Sequence, residues 1–90
     1  MIKTITRTTK FKKDFKTAQK QGKDITKLET VLKLLVSEQT LPFQYKDHLL
    51  INFESYRECH ITPDWLLIYK IVDEELILAR LGSHSELFNK

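Results

Sequence analysis

The spacing of apolar and polar positions divides the 90-residue chain into two helices followed by a run of strands. IKTITRT predicts a first strand. From Lys10 to Gln21, Phe11, Phe15 and Ala18 recur at spacings of four and three, which makes one apolar helix face with the lysines largely elsewhere. Gly22 supplies the stop. A second helix follows, with Leu28, Val31, Leu32, Leu35 and Val36 as its apolar stripe and Thr26 with Glu29 at capping-box spacing. SEQTLPFQYKDHLL, with Pro42 and no clear period, predicts a loop from the helices to the sheet, and INFES a short extended segment.

From Tyr56 the period becomes two. In YRECHI, Tyr56, Glu58 and His60 share one strand face, while Arg57, Cys59 and Ile61 share the other. TPDW makes a turn in which Asp64 can accept from backbone amides. WLLIYKI and ELILARL are apolar strands joined by the polar tip VDEE. Both strands carry large apolar groups on both faces, so helices should cover at least one side of the sheet. After Gly82, Ser83 and Glu86 have the spacing of a second capping box, which starts a helical turn at His84. The order β-α-α-β-β-β with a short C-terminal helical turn is an α+β fold: two N-terminal helices packed on a small antiparallel sheet. No linker, repeat or low-complexity tract interrupts it, so residues 1–90 read as a single domain.

Composition narrows the functional classes. The chain is 41% apolar, enough for one small core. Its lone cysteine excludes an internal disulfide and suits a reducing cytosol. No stretch is apolar enough for a signal peptide or a membrane span, so the expected location is cytoplasmic with no membrane partner. The net charge of +3 is unevenly spread: residues 1–46 hold 11 basic and four acidic groups, whereas residues 47–90 hold four and eight. Lys10, Lys12, Lys13, Lys16 and Lys20 therefore form a candidate face for a nucleic-acid backbone, although a lysine run is as often a solvated helix surface.

The chemistry lies in the second half. His48, His60 and His84, with Asp64 and Arg80, are groups that can move protons and hold a phosphate. RNA is cut without metal when a base takes the 2′-hydroxyl proton, the phosphate is stabilised, and an acid protonates the departing 5′-oxygen. Histidine suits both proton transfers, its unperturbed pKa being about 6.5. The helix start at His84 offers free backbone amides to a phosphate, and Arg80 a permanent charge. Trp65 and Phe88 could stack on bases. Each residue also has a plainer reading. His60 alone would more often be a structural histidine, His84 a surface capping residue, Arg80 a salt bridge to Glu58, Glu75 or Glu86, and Trp65 core.

YRECHITPDWLLIYKI and RLGSHSELF, with KDHLL around His48, resemble the YafQ branch of the RelE/ParE superfamily of bacterial toxins. The helices agree in order and length, so the resemblance covers nearly the whole chain. It implies a RelE-like fold and a ribosome-dependent mRNA interferase of a type II toxin-antitoxin system, with no metal or cofactor. It also implies a cognate antitoxin, the ribosome and mRNA as partners. On this likeness His48, His60, Asp64, Arg80, His84 and Phe88 match the family's catalytic positions. His84, beside the helix start, is then the general acid and His48 the base, with His60 and Asp64 positioning substrate or sharing proton transfer; Arg80 stabilises the phosphate. Glu58 stands where close relatives tend to have aspartate. Two non-nuclease readings stay open, a ParE-like gyrase inhibitor and an RNA- or ribosome-binding translation blocker. A metal centre built from the histidines and Asp64 matches no compact ligand spacing.

Overall fold

The computed structural model describes residues 1–51 and 55–88. Five strands form one mixed sheet in the order β1-β5-β4-β3-β2: β1 is Thr4–Arg7, β2 His48–Leu49, β3 Arg57–Thr62, β4 Trp65–Val72 and β5 Glu75–Gly82. β2 to β5 are antiparallel neighbours, whereas β1 pairs parallel to β5, with Ile5 opposite Leu76. The expected loop before β3 is more ordered than its lack of period suggests, since it holds a 3₁₀ turn, Phe43–Tyr45, as well as β2. Residues 52–54 of INFES lie outside the described residues.

Helix α1, Thr9–Lys20, starts where the Thr8 hydroxyl accepts from the Phe11 amide at 3.1 Å. The same hydroxyl donates to the Ala79 carbonyl at 2.8 Å, so the helix cap also docks on β5. Gly22, at φ +75°, closes α1 as expected, with Lys23 N–H bonded to Ala18 O and Gly22 N–H to Gln19 O. Helix α2, Ile25–Val36, starts differently from the expected Thr26–Glu29 box. Asp24 is extended and its carboxylate accepts from Thr26 N–H at 3.0 Å, which places Thr26 inside the first turn. An aspartate two residues upstream outcompetes the hydroxyl because it is ionised and suits the helix N-terminus.

Phe11, Ala18, Leu28, Val31 and Leu35 of the helices close over Cys59, Ile61, Leu67, Tyr69, Leu76, Leu78 and Leu81 of the sheet. Trp65 belongs to this core at 2% exposure. The proposed base-stacking role for it is therefore corrected: its ring faces are spent on packing, and burial of so large an aromatic side chain stabilises the fold. A bulge in β5, between the pairs Tyr69–Leu78 and Ile68–Arg80, lets Leu78 and Leu81 both reach the core. It also puts Arg80 in register with Ile68, and hence in line with Glu58 on the opposite face of the sheet. That opposite face carries the histidines.

Candidate active site

Three separate elements bring the histidines together. His48 on β2 stands directly opposite Glu58 on β3, and His60 lies two residues beyond Glu58 on the same face. His84 opens helix α3, His84–Phe88, which folds back after β5. The His48 and His60 ring centroids are 6.4 Å apart, and those of His60 and His84 are 5.5 Å apart, edge to face.

Glu58 sits between them. It is 5% exposed, the single buried charged residue among those described. Its Oε1 is 3.3 Å from His60 Nε2 and 3.5 Å from His48 Nε2. A buried carboxylate needs a donor, and His60 Nε2 is the nearer ring atom, so His60 and Glu58 constrain one another while His48 Nε2 faces the same oxygen. Sequence alternation had placed Glu58 beside His60, but only the fold adds His48.

The remaining ring atoms are fixed by acceptors. His48 Nδ1–H donates to the Lys46 carbonyl at 2.7 Å, which leaves Nε2 as the atom facing Glu58. His84 Nδ1–H donates to Asp64 Oδ1 at 2.8 Å, and the same oxygen accepts His84 N–H at 3.2 Å. These bonds, first the ring's and then the backbone's, hold the Asp64 carboxyl below the usual carboxylate range. Asp64 thus bonds a backbone amide as expected, but one 20 residues away instead of within its own turn.

The capping box forms as predicted. Ser83 N–H donates to Glu86 Oε1 at 2.8 Å and Glu86 N–H to Ser83 Oγ at 3.1 Å. Gly82 lets α3 approach this closely, since a Cβ there would lie 3.1 Å from Glu86 Oε1 and 3.2 Å from Leu87 Cδ2. Phe88 is the last residue of α3 and is half-buried.

Asp47, which the sequence reading passed over, anchors the strand before His48. It accepts from Tyr69 Oη at 2.7 Å and Arg57 Nε at 3.2 Å. Burial, and then this bond to Asp47, pushes the Tyr69 phenol well above its usual value.

Arg80 has a partner that the sequence did not suggest. Its Nε and Nη2 donate to Asp14 of α1 at 2.8 and 3.3 Å, and Asp14 also accepts the Leu81 amide at 2.9 Å. The expected partners Glu58, Glu75 and Glu86 are not used. In register Arg80 stands two strands from Glu58, roughly 10 Å at ordinary strand spacing. It does not line the histidine cleft, whose volume is about 550 Å³ and whose walls are Lys27, Gln44, Tyr45, Lys46, His60, Ile61, Thr62, Pro63 and His84. Lys10, Lys12, Lys13, Lys16 and Lys20 are all exposed on α1, away from these walls.

Residues 3–89 match the family model described as the bacterial toxin of type II toxin-antitoxin systems, YafQ. The chain belongs to the YafQ toxin family. The toxin is 46% identical over 80 residues, 87% of either chain, to the mRNA interferase toxin YafQ of Escherichia coli strain B / BL21-DE3. Its fold superposes on the toxin of the E. coli DinJ-YafQ complex with a TM-score of 0.89, at 42% identity, covering 98% of this chain and 99% of that one. A metal-bound toxin from Helicobacter pylori matches with a TM-score of 0.91 at 47% identity over 98% of this chain and all of its own. No helix among the described residues is long and apolar enough to cross a membrane.

Proposed function

We propose that this toxin is an mRNA interferase, an endoribonuclease that cuts translated mRNA in the ribosomal A site and so stops translation. The observation that carries the reading is the group of three histidines around buried Glu58, two of them with Nδ1 already committed to an acceptor. His48 Nε2 takes the proton of the 2′-hydroxyl, whose oxygen attacks the adjacent phosphorus. His84 Nε2 gives a proton to the departing 5′-oxygen, leaving a 2′,3′-cyclic phosphate and a 5′-hydroxyl. His60 and Glu58 sit between these two atoms and keep them at a fixed separation, and Asp64 orients His84. Arg80 stabilises phosphate charge only where it keeps a free guanidinium face beyond Asp14. Phe88, the last residue of α3, stacks on a base.

The α1 lysines contact ribosomal RNA, and a domain this small relies on the ribosome to position the strand. A cognate antitoxin, the counterpart of DinJ in the E. coli complex, holds the toxin in check in the cytoplasm.

The test is primer extension on a defined mRNA in a purified translation system, comparing wild type with His84→Ala and His48→Ala. In-frame 3′ ends that need ribosomes and both histidines support the mechanism. Stalled translation with intact mRNA points to a steric blocker or a gyrase-directed relative. Full cutting by either variant overturns the proton-transfer roles.

A second reading concerns a metal. Glu58, His60 and His84 each offer a ligand atom within 4.8 Å of the others, a set suited to a divalent transition ion, and the H. pylori relative is metal-bound. Such an ion would take a ring nitrogen of His84, the proposed acid, so it would inhibit. Cleavage lost in a transition-metal chelator that spares magnesium would instead make the ion part of the catalyst.

A further inference from the structure

Arg80, the one arginine assigned to the phosphate, is tied through two donors to Asp14 and absent from the histidine cleft. Two other permanent cations do line it. Lys27 projects from the first turn of α2, and Lys46 ends the 3₁₀ turn before β2. Among the described residues neither ammonium takes part in an ion pair, whereas Lys3 does, with Glu74 at 3.6 Å. We propose that Lys27 and Lys46 are the phosphate-binding residues of this toxin, gripping the RNA backbone on either side of the scissile bond beside His60 and His84. The inference rests on the nuclease reading above and names the residues that hold its substrate.

Three features support it. Lys27 and Lys46 are on the cleft walls and no carboxylate is, Glu58 and Asp64 lying behind the histidine rings, so the charge of the walls favours a polyanion. Its volume of about 550 Å³ falls in the range that takes a nucleotide-sized ligand. Lys46 is also held in place. Its backbone is left-handed at φ +47°, its amide bonds to Phe43 O at 3.0 Å, and its carbonyl receives His48 Nδ1–H. A lysine there is strained where glycine or asparagine would fit at less cost. One residue thus fixes the tautomer of His48 through its carbonyl and also lines the cleft.

The decisive experiment is fluorescence anisotropy with a labelled single-stranded RNA made uncleavable by 2′-O-methylation, titrated with intact toxin over a range of salt. The variants are Lys27→Gln, Lys46→Asn, their double, Lys27→Arg with Lys46→Arg, and Arg80→Gln. Asparagine suits the left-handed position, so Lys46→Asn should melt no lower than wild type while binding more weakly. The double variant is expected to bind about tenfold or more weakly, with the salt slope reduced by about 0.7 for each lysine. The arginine pair should restore both. Unchanged affinity and slope in the double variant would overturn the proposal, as would a loss seen only in Arg80→Gln. Wild-type binding without cutting in the primer-extension assay would sink the nuclease reading and leave the lysine assignment standing.

Discussion

Asp14 is the residue whose removal the structure weighs most directly. It accepts from Arg80 Nε, Arg80 Nη2 and the Leu81 amide, and so ties α1 to the edge of β5 that β1 leaves uncovered. In Asp14→Ala the Leu81 amide, on a residue 2% exposed, loses its acceptor, at a cost of about 1–3 kcal/mol. The Arg80 side chain is 30% exposed and rehydrates, so its lost ion pair adds only about 1 kcal/mol. The expected destabilisation is therefore about 2–4 kcal/mol, a large share of the about 5–15 kcal/mol by which such domains are stable. Asp14→Asn keeps an oxygen for Leu81 and should cost about 1 kcal/mol. Urea denaturation followed by far-UV circular dichroism measures both, and Arg80→Met completes a double-mutant cycle. Equal losses in the alanine and asparagine variants would refute the division between amide and ion pair. Activity in Asp14→Asn is informative too: a guanidinium released from Asp14 should raise RNA affinity if Arg80 reaches phosphate at all.

Gly82→Ala should leave the core intact yet push Glu86 and Leu87 outward by a few tenths of an ångström, carrying His84 with them. We expect a cleavage loss on the order of tenfold or more with at most about 1 kcal/mol of stability lost; a fully active variant would show that α3 placement is not critical. The Asp64 carboxyl is depressed, so its hold on His84 is present above the ordinary carboxylate value of 3.8 and fades only as pH falls through the lower folded value. Cleavage between about pH 5 and 8 should consequently show no step from Asp64, whereas Asp64→Asn should lower the rate throughout that window. A rate for Asp64→Asn equal to that of the wild type across this window would contradict this. Burial pushes the Cys59 thiol up to about 12, so native toxin should resist iodoacetamide at mildly alkaline pH and react once unfolded in urea, as mass spectrometry would show.

Local rules carried much of the fold and part of the site. Strand alternation put Glu58 and His60 on one face, the Ser83–Glu86 spacing started α3 at His84, and the apolar stripes of α1 and α2 marked the helix faces that became core. Each depends on residues a few positions apart, so each is fixed by backbone period and short-range hydrogen bonding. The capping of α2 by Asp24 was just as local and was misread because two caps competed within three residues. Other features joined distant residues. The parallel pairing of β1 with β5, the placement of His48 opposite Glu58, the Asp64–His84 bond and the Asp14 clamp on Arg80 depend on which strands lie side by side. Lys27 and Lys46, 19 positions apart, share one cleft only because the helix and the loop enclose it together. The sequence by itself determined the elements and the stock of proton-transfer groups, since period and residue chemistry are local. Only the tertiary structure decided which of those groups meet, because burial of the core sets the strand order and with it every long-range neighbour.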